Sequence, residues 1–358
     1  MTTHAAPSRV GILGNPSDGF GGRTLALALP QYQATVTLEP AERVEFVGLN
    51  ADETQWPSFG AMTDHLDRYG YGTGPQLLAA TARTFVGVAE SLDHRLESGF
   101  RLSYETTIPR QVGLGGSSAL VIATLRCLAE HYHLELADEI LPSLALQTET
   151  TQLGLGGGLQ GRVVQTYGGL MAMDFSNLQI NTQFGVSYGA YESEDPSCLP
   201  PLFLAFRAGT AEPTDTYRQQ LRIRYETGDT HVRETLRELA ALVVEGRAAL
   251  RWRDRRRFSA LIGKNMQLRQ SLGPVPSADL ELVDTARSVG ANVTCAGSGC
   301  AVVGAFEDDR HFELLSDAYA DIGVDVVRVE GLACPEGNTP SDDRITQGNV
   351  VTLERRHH

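Results

Sequence analysis

The sequence predicts a two-lobed protein of mixed α/β (α+β) class. Its 358 residues exceed one typical domain. Segments of alternating apolar and polar residues interleave with segments of helical period. Three glycine-rich clusters punctuate the changes between them, and the proline-bearing, polar stretch Ser193–Pro201 reads as the boundary between lobes. The expected division is residues 1–197, 198–330 and a polar tail, 331–358.

The elements follow in order. Arg9–Gly14 is a short apolar run, read as a strand that ends in the turn N-P-S-D-G-F-G-G and carries Asn15 and Asp18 to a surface loop. Gln33–Val47 alternates in A-T-V-T-L and V-E-F-V, the pattern of half-buried strands. Pro75–Ser98 has helical period, and Phe100–Thr107 alternates again. Leu120–Glu130 is strongly helical, as is Ala137–Thr151, which runs into a second glycine loop at Leu153–Gly161 and a strand at Gly169–Phe175. In the second half, Leu202–Phe206 reads as a strand and Thr230–Gly246 and Arg256–Leu272 as amphipathic helices. The third cluster, A-G-S-G at Ala296–Gly299, precedes the strand-like A-V-V-G-A-F.

Composition narrows the class. A net charge of −14 lacks the basic footprint that nucleic acid demands, so no nucleic-acid partner is expected. The arginine patch Arg251–Arg257 reads as a solvated face or a junction of helices. No apolar run approaches the ~20 residues of a membrane helix, so no membrane partner is expected. The opening M-T-T-H-A-A-P-S-R-V lacks the order of a secretory signal, and five scattered cysteines read as reduced thiols. A cytoplasmic location is the expectation. His131 and His133, two apart on a helix, make a poor metal pair, and Cys295 and Cys300 read as small packing residues.

The most informative stretch is I-P-R-Q-V-G-L-G-G-S-S-A at Ile108–Ala119. Its glycines allow a sharp turn that aims several N–H groups at one anion, and the following helix adds the positive end of its dipole. Ser117 and Ser118 add hydroxyl donors to phosphate or an oxygen ligand for Mg²⁺. The loop reads as a nucleotide phosphate loop. It is not the G-x-x-x-x-G-K-[ST] loop, because no lysine lies between Gly113 and Ala119, and its glycine spacing is not that of a dinucleotide fold.

The three clusters, R-V-G-I-L-G-N-P-S-D at Arg9–Asp18, P-R-Q-V-G-L-G-G-S-S-A at Pro109–Ala119 and G-A-N-V-T-C-A-G-S-G-C-A-V-V at Gly290–Val303, resemble the motifs of the GHMP small-molecule kinases. Within that superfamily the chain resembles the glucuronokinases, which phosphorylate a sugar acid at its anomeric hydroxyl. The likeness rests on G-N-P-S-D-G-F-G-G-R-T at Gly14–Thr24, I-P-R-Q at Ile108–Gln111, Y-G-G-L-M-A-M-D-F-S at Tyr167–Ser176, L-V-V-E-G-R-A-A-L at Leu242–Leu250 and L-I-G-K-N-M-Q-L-R at Leu261–Arg269. The resemblance implies the two-lobe GHMP kinase fold with a ferredoxin-like C-terminal lobe, ATP and Mg²⁺ as cofactors, and a small sugar or sugar acid as substrate; a homodimer is compatible with it. It implies ATP phosphates cradled by Gly113, Leu114, Gly115, Gly116, Ser117, Ser118 and Ala119, with Gly297, Ser298 and Gly299 from the third cluster. Ser118 and Glu149 would be the Mg²⁺ ligands, although in a gapless alignment Thr150 stands where the acidic ligand is expected. Arg9 would sit near the reacting hydroxyl, or be a strand-end surface charge; Asp18 would orient the sugar, or cap a turn.

The departures matter as much. In the glucuronokinase pattern G-L-Q is followed by the catalytic aspartate; here Gly158-Leu159-Gln160 is followed by Gly161, which has no side chain to accept a proton. Asn292 and Cys295 replace the more usual Lys and Gly of the third motif. Gln160 and Arg162 flank the missing carboxylate as substrate candidates, Arg162 being either a sugar-acid clamp or a helix-surface arginine. Three functions follow as expectations: a kinase working without that base, a catalytically silent pseudokinase that binds nucleotide or sugar, and a GHMP-fold enzyme with other ATP-dependent chemistry.

Overall fold

The computed structural model describes residues 1–49, 53–71, 75–207, 215–297, 299 and 301–330. Ser298, Cys300 and the tail 331–358 lie outside the described residues.

The first lobe is built on a seven-stranded sheet. β1 (Thr2–Leu13) runs antiparallel to the long β2 (Arg23–Ala41), from Thr2 opposite Leu38 to Leu13 opposite Leu25. β1 begins with alternating burial and ends fully buried over Val10–Leu13, with the partly buried Arg9 just before that enclosed end. β3 (Val44–Val47) and β4 (Glu53–Trp56) extend the sheet beyond β5 (Gly99–Thr106), which pairs with the second half of β2. β6 (Leu170–Asn181) pairs with the first half of β2 and with β7 (Val186–Glu194). The helices of this lobe are α1 (Phe59–Tyr69), α2 (Gln76–Ser91), α3 (Gly116–His131), α4 (Leu141–Gln147) and α5 (Leu159–Tyr167). α3 lies on β1 and β2 and is packed by α2, α4 and α5. That position explains why most of its residues, Leu120 to Leu125 among them, are buried: it is apolar all round.

The second lobe is a four-stranded antiparallel sheet in the order β11-β8-β10-β9, formed by β8 (Leu202–Phe206), β9 (Asn292–Cys295), β10 (Ala301–Ala305) and β11 (Asp325–Arg328). Its helices are α6 (Asp215–Glu226), α7 (Thr230–Arg251), α8 (Arg255–Leu272) and α9 (Ser277–Ser288), before β9, and α10 (Asp309–Ala320), between β10 and β11. This strand order with helical crossovers is the ferredoxin-like arrangement. β8 alternates between two cores: Leu202 and Leu204 belong to the large core shared by both lobes, Phe203 and Ala205 to the core under α9 and α10. α7 and α8 pack on β1, which brings the second lobe against the site end of the first sheet.

Several expectations change at their edges. The helix read over Pro75–Ser98 stops at Ser91, and the one read from Leu120 begins at Gly116, the start that the loop glycine sets. Ala137–Thr151 is not one α-helix: α4 starts at Leu141 and continues through a π-helical turn, Thr148–Gln152. His133 is not helical; it follows the end of α3 with φ 55°. The strand read over Gly169–Phe175 runs on to Asn181. Cys295 is buried against Met266, with its thiol raised by desolvation, as a packing residue should be. The arginines 251–257 are exposed at the α7–α8 junction.

Candidate active site

The glycine loops converge on one cavity of about 660 Å³ between the lobes, lined among others by Arg9, Asn15, Asp18, Gly113–Ser118, Glu149, Gln160, Arg162 and Gly297. The loop at 109–119 turns through Gln111 (φ 57°), Gly113 (φ 73°) and Gly115 (φ 81°). Gly115 is the residue before α3, so the left-handed turn delivers the free N–H groups of Gly116, Ser117 and Ser118 to the cavity wall. The Gly115 carbonyl is held from behind by Gln165 Nε2 at 2.6 Å.

Arg9 is not a surface charge. Its backbone N–H donates to Leu114 O at 3.1 Å, and its Nη1 donates to Gly113 O at 2.7 Å and Ala296 O at 3.4 Å. The guanidinium therefore ties the loop at 109–119 to the third glycine cluster. A Cβ placed on Gly161 would stand 2.5 Å from Arg9 Nε, and one on Gly297 would stand 2.4 Å from Nη1. The position that lacks the carboxylate is thus filled by the Arg9 side chain rather than left empty. Asp18 lies against Gly158 at the start of α5, where Gln160 N donates to its Oδ2 at 3.4 Å. The same carboxylate thus caps the start of α5 and lines the cavity.

Glu149 sits beside the loop: Ser117 Oγ donates to its Oε1 at 2.7 Å, and Arg162 Nη2 pairs with its Oε2. Both members of the ion pair are buried. Arg162 also donates to Gly158 O, so it is not a helix-surface arginine, and its guanidinium is turned to Glu149. Thr150, one residue later, is exposed and bonds back to Leu146 O. Both residues lie in the π-helical turn Thr148–Gln152, which buries Glu149 and leaves Thr150 outside. Ser118 is buried and donates to Gly115 O at 3.1 Å; the hydroxyl beside the carboxylate is that of Ser117.

Asn265 and Arg269 were missed as site residues, although they lie in the stretch Leu261–Arg269 that had been noted for resemblance alone. Four apart on α8, they reach across from the second lobe, Asn265 Oδ1 accepting from Gly14 N at 2.9 Å and Arg269 Nη1 donating to Asn15 Oδ1 at 2.8 Å.

Comparison with known proteins gives the family. Residues 83–169 match the model of the GHMP kinases N terminal domain. The chain is 36% identical over 307 residues to "Glucuronokinase 1" of Arabidopsis thaliana, covering 84% of this chain and 83% of that protein. Among solved structures, a protein of Listeria innocua aligns with TM-score 0.76 at 19% identity over 92% of this chain and 99% of that one. The mevalonate kinase of Methanococcus jannaschii aligns with TM-score 0.69 at 16% identity over 91% and 97%. At those identities the two structures speak for the fold alone. The long relative at 36% identity carries the family: the chain belongs to the GHMP kinases and is a phosphotransferase.

Proposed function

We propose that the protein transfers the γ-phosphoryl group of ATP, with Mg²⁺, to a hydroxyl of a sugar acid of the glucuronate type, at the anomeric position. The observation that carries this reading is one cavity in which a glycine loop at a helix start, with a carboxylate beside it, faces Asp18 and Gln160, in a chain 36% identical to relatives named as glucuronokinases. In the reaction the sugar oxygen bonds to the γ-phosphorus, the bond to the bridging oxygen of ADP breaks, and the hydroxyl proton is released.

The donor set fits Mg²⁺. One carboxylate and a hydroxyl, Glu149 and Ser117, with Ser118 one residue on, are hard oxygen ligands of the kind Mg²⁺ takes together with phosphate oxygens and water. Bound there, the ion would neutralise charge on the phosphates. Arg162 contributes by fixing Glu149 rather than by reaching the sugar. The N–H groups at the start of α3 hold phosphate oxygens, and Gly297, in the cavity wall, completes the nucleotide side. Arg9 stabilises negative charge on the attacking oxygen and the transferring group, and Asp18 orients the sugar hydroxyl. Phosphoryl transfer depends mostly on positioning and electrostatics, so the missing base at Gly161 slows the step without forbidding it.

An ADP-release assay over a panel of uronic acids and neutral sugars tests this. Turnover with a uronic acid is expected, falling by on the order of 10²-fold or more in Arg9→Met and Asp18→Ala. ATP binding by calorimetry should survive in both. Unchanged turnover in both variants would remove these two residues from the mechanism.

A further inference from the structure

Four apart on α8, Asn265 and Arg269 belong to a sequence stretch that the phosphate site does not use. Asn265 is buried and spends its amide on Gly14 N and Thr294 Oγ1, at 2.9 Å each. Arg269 donates to Cys295 O at 3.2 Å, to Gly297 O at 3.1 Å and to Asn15 Oδ1 at 2.8 Å. Asn15 in turn donates from Nδ2 to Gln160 Oε1 at 2.5 Å. Chemistry fixes the direction of this chain. A guanidinium can only donate, so Asn15 must turn its oxygen to Arg269 and its nitrogen to Gln160. Gln160 must then present its oxygen to Asn15 and keep Nε2 for something else. That Nε2 is buried and has no hydrogen-bond partner among the described residues, and Gln160, only 4% exposed, lines the same cavity as Asp18 and Gly161. The backbone of β1 makes room for it: a Cβ on Gly11 would stand 3.0 Å from Nε2. A buried N–H left without an acceptor is costly, so a partner in the liganded protein is expected.

We infer that Arg269, Asn15 and Gln160 form a polarity relay, in which an arginine of the second lobe fixes Gln160 as a hydrogen-bond donor to an acceptor oxygen of the sugar. Gln160 touches the substrate; Asn15 and Arg269 are positioning residues. The inference rests on the sugar-kinase reading above and adds what sets the polarity of its substrate contact.

Two nearly isosteric variants test it. Gln160→Glu keeps the bond from Asn15 and replaces the donor by an acceptor. Asn15→Asp leaves Gln160 in place, but one carboxylate oxygen stays on Arg269 and the other can be met only by Nε2, so the Gln160 amide turns over and offers its oxygen to the cavity. Both should raise KM and the calorimetric Kd for D-glucuronate on the order of tenfold or more, with KM for ATP and Tm unchanged. A merely structural role predicts that Asn15→Asp is harmless, because it strengthens the pairing with Arg269. Wild-type affinity for D-glucuronate in Asn15→Asp overturns the relay, and wild-type affinity in Gln160→Glu overturns the donor contact. If the unmutated protein binds D-glucuronate but forms no sugar phosphate, and both variants weaken that binding, the relay stands and the kinase reading falls.

Discussion

Gly161 and Arg9 account for each other. The glycine gives up a carboxylate and thereby leaves the volume through which the Arg9 side chain reaches Gly113 O and Ala296 O. Gly161→Ala must therefore push a pinned guanidinium aside, and a loss of about 1–3 kcal/mol is expected from overpacking, read by denaturant unfolding. Gly161→Asp should not raise kcat: its carboxylate would stand against Arg9 and draw the guanidinium from Gly113 O and Ala296 O. A rise in kcat in that variant would mean that Arg9 yields readily. The missing carboxylate was legible in the sequence, because it interrupts a contiguous motif. What replaces it was not, because Arg9 lies in another strand and only the folded sheet brings it to α5. Glu149 shows the same limit: the acid was legible, but its pairing with Ser117 and Arg162 was not, since that contact joins residues far apart in the chain.

At the scale of elements, periodicity found many of the strands and helices and passed over others, some of which bury a clear apolar stripe. β7, α1, α9 and α10 went unread; β7 buries only Val186 and Gly189, too little pattern to stand out, whereas α1 buries the stripe Phe59, Met62 and Leu66, which the reading passed over. α8 was read almost to the residue, because its start is marked by Asp254, whose carboxylate accepts from Arg257 N at 2.9 Å. Asp254→Ala should destabilise the protein by about 1 kcal/mol through the lost cap. Thermal unfolding checks the loss, and kcat/KM at 25 °C should be unaffected, since Asn265 and Arg269 lie beyond the first turn of the helix.

For the whole molecule, the inter-lobe cleft is the working unit, and its clamps are polar as well as apolar. Away from the cavity, Arg247 of α7 pairs with Glu192 and Glu194 of β7 and so ties the lobes on the far side. The hydrogen bond from Arg247 holds the Glu192 carboxyl below its ordinary range, against an opposing effect of burial. A lowered carboxylate value means that the bridge stabilises the fold above the ordinary glutamate range and is lost as pH falls through the lowered value. Glu192→Gln should lower Tm at pH 7, and the difference from the unmutated protein should vanish in strong acid. Glycine clusters and local matches made the two-lobe plan legible, whereas the contacts between lobes were not, because they join residues far apart in the chain.

The central claim is phosphoryl transfer to a sugar acid at a site where Arg9 stands in the place of a base. ³¹P NMR of the purified protein with ATP, Mg²⁺ and D-glucuronate tests it most directly. The account predicts a new sugar 1-phosphate resonance growing in step with ADP. ATP that stays intact with every uronic acid and sugar offered, in a protein that still binds it, would contradict the account.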